Sequence, residues 1–216
     1  FGQKRFGTFY LNSIIVALGS VIIALPFAAA MGYAFARFQT GGRFGRFLVL
    51  SLQMLPPVAL VLPAFAILRS MELTQSLTGL TIVYAALNIP FLAWILMGFF
   101  EGIPVDLEWA AMTDGTTAWG AFWRIVLPMS TPILMVTLIW QFTNIWNDFL
   151  YGVVFSGADS KPITVGLNNL ANTSSAVKEY NVDMAAALIA ALPTLFVYVV
   201  AGKYFVRGLT AGAVKG

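Results

Sequence analysis

Phe6-Gly-Thr-Phe-Tyr-Leu-Asn-Ser-Ile-Ile-Val-Ala-Leu-Gly-Ser-Val-Ile-Ile-Ala-Leu-Pro-Phe-Ala-Ala-Ala-Met-Gly-Tyr-Ala-Phe-Ala36 runs from Arg5 to Arg37 without a charged side chain. About 20 apolar residues, at a rise of 1.5 Å each, cross a hydrocarbon layer of about 30 Å, and a helix satisfies its own backbone there. The stretch is too long for the apolar region of a signal peptide. It also carries Asn12, Ser13, Gly19 and Pro26, small or kinking residues of the kind found where membrane helices pack closely. The reading is therefore a membrane span.

Working outward, four more charge-free runs follow: 47 to 68, 73 to 100, 125 to 147 and 184 to 202. Together they predict an all-α integral membrane chain, a single transmembrane domain over 1–216 with spans near 10–35, 47–69, 78–100, 129–153 and 184–206. The composition agrees, with 59% hydrophobic and 10% charged residues and a mean hydropathy of +0.84. Too little polar surface is present to coat a soluble domain. Apart from the adjacent Lys4 and Arg5, the twelve basic residues lie singly and form no patch that could follow a phosphate backbone, so no nucleic-acid partner is expected. With no Cys and no His, the chain lacks thiolate nucleophiles, imidazole bases and the usual metal ligands, and no metal site or enzyme activity is expected of it.

Orientation follows from the basic residues. With the carboxyl terminus inside, Arg37, Arg43, Arg46, Arg124, Lys203, Arg207 and Lys215 are cytoplasmic, against Lys4, Arg5, Arg69, Lys161 and Lys178 outside. The multi-pass chain is thus expected in a bacterial or archaeal cytoplasmic (inner) membrane, bathed in lipid, with a cytoplasmic carboxyl terminus. The segment 157–183 is then an outer, polar surface loop with room for one short helix.

The loop 101–128, Glu-Gly-Ile-Pro-Val-Asp-Leu-Glu-Trp-Ala-Ala-Met-Thr-Asp-Gly-Thr-Thr-Ala-Trp-Gly-Ala-Phe-Trp-Arg-Ile-Val-Leu-Pro, is neither a span nor an ordinary turn. Pro104 can open a helix over about 105–113, with Asp106 and Glu108 in a first turn that favours negative charge. Asp114-Gly115 breaks it, and Thr116 or Thr117 can cap a second helix whose apolar stripe is Trp119, Phe122, Trp123 and Val126. The result is a helical hairpin against the membrane. Ala110, Ala111 and Gly115 leave a low-profile face on which another protein can approach closely, while the tryptophans equally suit a linker resting at the lipid interface.

Ala110-Ala111, Gly115, then nine residues and Ile125-Val126-Leu127-Pro128 resemble the EAA motif of ABC importer permeases, the loop that docks on the ATPase subunit. One position departs from that motif: its Glu falls on Trp109, with Glu108 directly before it. Asn12-Ser13, Ala34-Phe35-Ala36-Arg37, Pro90-Phe91, Trp146-Asn147-Asp148 and the ending Gly208-Leu-Thr-Ala-Gly-Ala-Val-Lys-Gly216 are similar to carbohydrate-uptake permeases of the maltose-transporter type. The resemblance implies ATPase coupling through Glu108, Trp109, Ala110, Ala111, Asp114, Gly115, Ile125, Leu127 and Pro128. It also implies tail contacts through Gly208, Thr210 and Lys215. The partners it implies are a second permease, an ATPase dimer carrying ATP and Mg, and an extracytoplasmic sugar-binding protein. Such permeases usually have six spans; this chain does not begin with Met, and a first span is expected to be missing.

No Gly-x-x-x-x-Gly-Lys-Ser/Thr phosphate loop occurs, and Gly41-Gly42-Arg43-Phe44-Gly45 reads as a turn, so the nucleotide is expected on a partner chain. Polar residues inside spans are costly unless they face a cavity or a neighbouring helix. Gln53, Asn88, Gln141, Asn144, Asn147 and Asp148 therefore stand out. Gln141, Asn144 and Asp148, at i, i+3 and i+7, share a helix face. With Trp146 near, that span offers rings and hydrogen-bonding groups suited to a sugar pathway, or else polar residues that join helices. Pro26, Pro56-Pro57, Pro63, Pro90 and Pro193 are expected inside spans as hinges or fixed kinks. The expected function is a permease subunit of an ATP-driven sugar importer. The alternatives are the same fold carrying an amino acid, phosphate or polyamine, or an ion-coupled transporter or channel, for which only Asp148 offers an intramembrane charge.

Overall fold

The computed structural model describes the backbone of residues 3–171 and 180–213 and the side chains of 5–169, 181 and 183–200. In chain order the helices are α1 (Gln3–Phe38), α2 (Gly42–Gln53), α3 (Pro57–Ser70), α4 (Leu77–Glu101) and α5 (Asp106–Thr113). They continue with α6 (Ala118–Met129), α7 (Thr131–Asn147), α8 (Leu150–Phe155), α9 (Ile163–Ala171) and α10 (Tyr180–Ala213). Among the described residues there is no strand, only an isolated bridge between Gln75 and Ser156. The expected all-α membrane fold is what the chain adopts.

Among the described residues, three helices are long and apolar enough to cross a bilayer: Arg5–Phe38, Leu77–Glu101 and Asp183–Val200. Two bent pairs reach that length together. One is α2 with α3, bent by 99°, and the other is α6 with α7, bent by 75°. The stretch expected as one span near 47–69 is therefore two helices. Pro56 is extended (ψ 133°) and Pro57 occupies the first turn of α3, where its missing N–H costs nothing. This proline pair thus ends one helix and starts another instead of lying inside a span. Pro26, Pro63, Pro90 and Pro193 do lie within helices. The span expected near 129–153 is likewise interrupted, since α7 ends at Asn147 and Leu150 opens α8.

The chain divides into two compact units. One gathers Phe1–Ile22, Leu55–Ala86 and Trp140–Val200. In it Ser20 Oγ donates to the Thr81 carbonyl at 3.0 Å, and Gln141 Nε2 donates to the Ser20 carbonyl at 3.2 Å. The first residues of the expected outer loop, Asp159 to Ile163, are tied down in this unit. Asn12 Nδ2 donates to the carbonyls of Asp159 (2.8 Å) and Lys161 (3.1 Å), and the Ile163 N–H, an orphan donor at the start of α9, donates to Ser13 Oγ at 2.8 Å. Asn172, Thr173, Ser174 and Ser175 lie outside the described residues.

The other unit gathers Ile23–Met54, Leu87–Ile139 and Ala201–Gly216. Here α1 presents Ala24, Ala28 and Gly32, small residues four apart and all buried. Such a row lets membrane helices approach to backbone contact. A Cβ added at Gly32 lands 2.9 Å from the Ala93 carbonyl oxygen and 3.1 Å from the Met97 nitrogen, which defines how closely α4 packs on this row. The same unit holds the hairpin α5–α6. Of the expected tail contacts, the backbones of Gly208 and Thr210 continue α10, whereas Lys215 lies outside the described residues.

Candidate functional site: the α5–α6 hairpin

The hairpin forms where the sequence places it. Asp106 and Glu108 open α5; the Asp114 N–H donates to the Ala110 carbonyl and the Thr116 N–H to the Ala111 carbonyl, both at 3.1 Å. Gly115 turns the chain at φ +90°, a conformation that a side chain strains. Thr117 caps α6, its Oγ1 accepting from the Gly120 N–H at 3.1 Å. Between Phe122 and Val126 the helix widens into a π-turn, with the Leu127 N–H donating to the Phe122 carbonyl. Pro128 lacks an N–H and its ring crowds the carbonyl four residues back, and the wider turn makes room for it.

Glu108, expected among the coupling residues, is 3% exposed and faces the protein interior, so its carboxylate is turned away from the exposed face of α5. Arg37 Nε donates to Oε1 at 2.6 Å and Tyr33 OH to Oε2 at 2.5 Å. Arg37 Nη2 also reaches the Ile103 carbonyl at 2.9 Å, just ahead of α5. Tyr33 packs against Phe122 with ring centroids 4.6 Å apart and planes tilted by 36°, and meets Phe100 edge-on at 6.3 Å. Both α1 residues lie one turn apart on one face, so the loop is held by a charge, a phenol and a ring from one helix. Nearby, Arg46 pairs with Glu101 at 2.9 Å and donates to the Phe35 carbonyl at 2.9 Å.

With Glu108 turned inward, the opposite face of α5 carries Asp106, Ala110 and Thr113 at i, i+4 and i+7, with Trp109 (60% exposed) and Asp114 beside them. Gly115 and Pro128 are exposed too, while Ala111, Ile125 and Leu127 are half-buried. Of the expected apolar stripe, Phe122 and Val126 are buried; Trp119 and Trp123 border an apolar cleft of about 350 Å³ against Leu25–Ala30 of α1. Tyr33 was not singled out by the sequence. The available signal was a tyrosine four residues before the arginine that closes a span.

The residues expected on one face of α7 differ in their surroundings. Gln141 is fully buried and joined to α1, Asn144 is exposed, and Asp148 is half-buried at the break after α7. Three residues at i, i+3 and i+7 spread over some 60° of a helix, enough for its neighbours to cover one edge and leave the other open. Trp146 is buried and donates to the Ala190 carbonyl at 3.0 Å, exposed Asn147 bonds its own helix at the Thr143 carbonyl, and Asn88 is buried in α4. Gln53, at the end of α2, is exposed. Asp148 Oδ2 accepts from Tyr84 OH at 2.7 Å and from the Tyr151 N–H at 2.9 Å, and its carbonyl accepts from Thr164. Asp148→Ala is expected to lower the stability of the detergent-solubilised chain by about 1–3 kcal/mol, seen as a drop in its thermal midpoint, because Tyr84 OH and an α8 N–H lose their acceptor. An unchanged midpoint would contradict this role.

Residues 8–210 match the family described as the binding-protein-dependent transport system inner membrane component, and the chain belongs to that family. It is 36% identical over 214 residues to the diacetylchitobiose uptake system permease protein DasC of Streptomyces coelicolor, covering 98% of this chain and 77% of that protein. It is 41% identical over 163 residues to a probable ABC transporter permease of Pyrococcus horikoshii, covering 75% of this chain and 58% of that longer protein. Among solved structures, a chain of a bacterial ABC transporter involved in the import of the acidic polysaccharide alginate superposes with a TM-score of 0.80 at 25% identity, over 94% of this chain and 76% of that one.

Proposed function

We propose that the chain is a permease subunit of an ATP-driven carbohydrate importer, and that the α5–α6 hairpin seats in a groove of a separate ATPase subunit. The observation that carries this reading is the hairpin itself. Its Asp106–Ala110–Thr113 face and its Gly115 turn stand exposed, while the opposite face is bonded to α1. Trp109, at the motif's acid position, offers a partner an aromatic ring in place of a carboxylate. ATP and Mg belong to the ATPase pair, and a second permease and an extracytoplasmic sugar-binding protein complete the assembly in the cytoplasmic membrane. Sugar is favoured as the solute class by the diacetylchitobiose and alginate systems among the similar proteins. The ion-coupled alternative finds little support, because the Glu108 and Asp148 carboxylates are each engaged by partners within the chain.

The test is co-purification from native membrane through a tag on this chain. The wild type is expected to bring down an ATPase, a second permease and a sugar-binding protein. Gly115→Asp, which strains the turn by roughly 1–3 kcal/mol and adds a charge, is expected to lose the ATPase and keep the second permease. A wild type recovered alone would overturn the proposal.

A further inference from the structure

Glu108 is 3% exposed, and nothing in the docking reading requires a carboxylate there. Among the described residues its carboxylate is held from α1: by Arg37 through a guanidinium bond, with side chains 9% and 4% exposed, and by Tyr33 through its hydroxyl. Arg37 makes a second contact, with the Ile103 carbonyl at the entry to α5. The Tyr33 ring packs against Phe122 of α6. Two residues of one helix thus grip the entry, the first limb and the second limb of the hairpin. An exposed ion pair exchanges with water and yields under load, whereas separating a buried one strands charge in a low-dielectric interior. Such a grip has two discrete arrangements, closed or broken, with little compliance between them.

We infer that Tyr33 and Arg37 are positioning residues that latch the hairpin to the end of α1 through Glu108, so that a displacement of the hairpin is delivered to α1 as a rigid-body movement. This rests on the proposed docking of the hairpin on an ATPase. It goes beyond that docking by naming the helix that receives the movement and the bonds that deliver it. Tyr33 and Arg37 touch neither solute nor nucleotide; they act through Glu108.

The chain has no cysteine, so paired spin labels can be placed without background. Leu107 (41% exposed) marks α5 away from its outward face, Phe27 (64%) marks α1, and Val153 (46%) marks α8. Leu107→Cys/Phe27→Cys and Leu107→Cys/Val153→Cys are compared in the assembled complex, nucleotide-free and with MgATP and vanadate. With the native latch, the first distance is expected to stay constant and the second to change. In Glu108→Gln, the first distance is expected to shift by ~5 Å on nucleotide binding, the scale of one helical turn, or to broaden markedly. Tyr33→Phe removes one hydroxyl and keeps the ring, so it serves where Glu108→Gln does not assemble, with the same broadening expected. A residue that merely stabilised the fold would lower the yield of complex and leave both distances of the assembled fraction as in the wild type. A first distance that changes with nucleotide in the native chain, or stays constant in the variants, overturns the latch. A second distance indifferent to nucleotide in the native chain sinks the ATPase-coupled reading instead.

Discussion

Arg37→Leu is expected to cost the chain about 3–5 kcal/mol, because it leaves the Glu108 carboxylate buried with only the Tyr33 hydroxyl as a side-chain partner. Arg37 also surrenders its bond to the Ile103 carbonyl. The expected outcome is a chain extracted in much lower yield and unfolding early on heating in detergent. The double variant Arg37→Leu/Glu108→Leu is expected to recover most of that loss, since two apolar side chains can fill the site without stranding a charge. Denaturation midpoints for the single and double variants give the comparison. If the double variant is as unstable as the single, the cost lies in lost packing and hydrogen bonding and not in the orphaned charge.

Gly32→Val produces the second large effect, by a different route. The atoms that an added side chain meets are the Ala93 carbonyl oxygen and the Met97 nitrogen, and backbone within α4 cannot rotate away as a side chain can. The helices must separate, and overpacking of this kind costs about 1–3 kcal/mol or more. The lost small-residue contact adds to that. Gly98→Ala is the control on the partner helix. An added Cβ there meets nothing within 4 Å, so that change is expected to be neutral or to raise stability by up to about 1 kcal/mol through helix propensity. Thermal midpoints of the two variants against the parent check both statements, and equal effects would refute the close approach at Gly32.

The parts of this architecture legible in the amino-acid order are those set by near neighbours. Long charge-free runs announced α1 and α4, Gly115 announced the hairpin turn, and Thr117 was one of two residues expected to cap the second limb. Glu108 shows where that legibility stops. Its place in the first turn of α5 has a local explanation in the helix dipole, but the arginine that binds it lies 71 positions away. No local pattern reports such a pairing. Gln141, Asn144 and Asp148 show the same limit, for periodicity fixes their order around a helix and leaves to the neighbouring helices which of them is covered. The α2–α3 bend is a different case. Its signal, Pro56-Pro57, was visible, but the apolar count across 47–69 is the same for a straight span as for a folded one.

That bend separates two events in the making of this protein. Twelve residues of α2 and fourteen of α3 are about 18 and 21 Å long, and neither limb alone matches a hydrocarbon layer of about 30 Å. Partitioning into lipid during synthesis responds to summed apolarity, which the two limbs supply only together. Topology is thus set by a composition that is blind to the corner. The corner is set by Pro56-Pro57, which stop one helix and open the next whatever the apolar sum across 47–69.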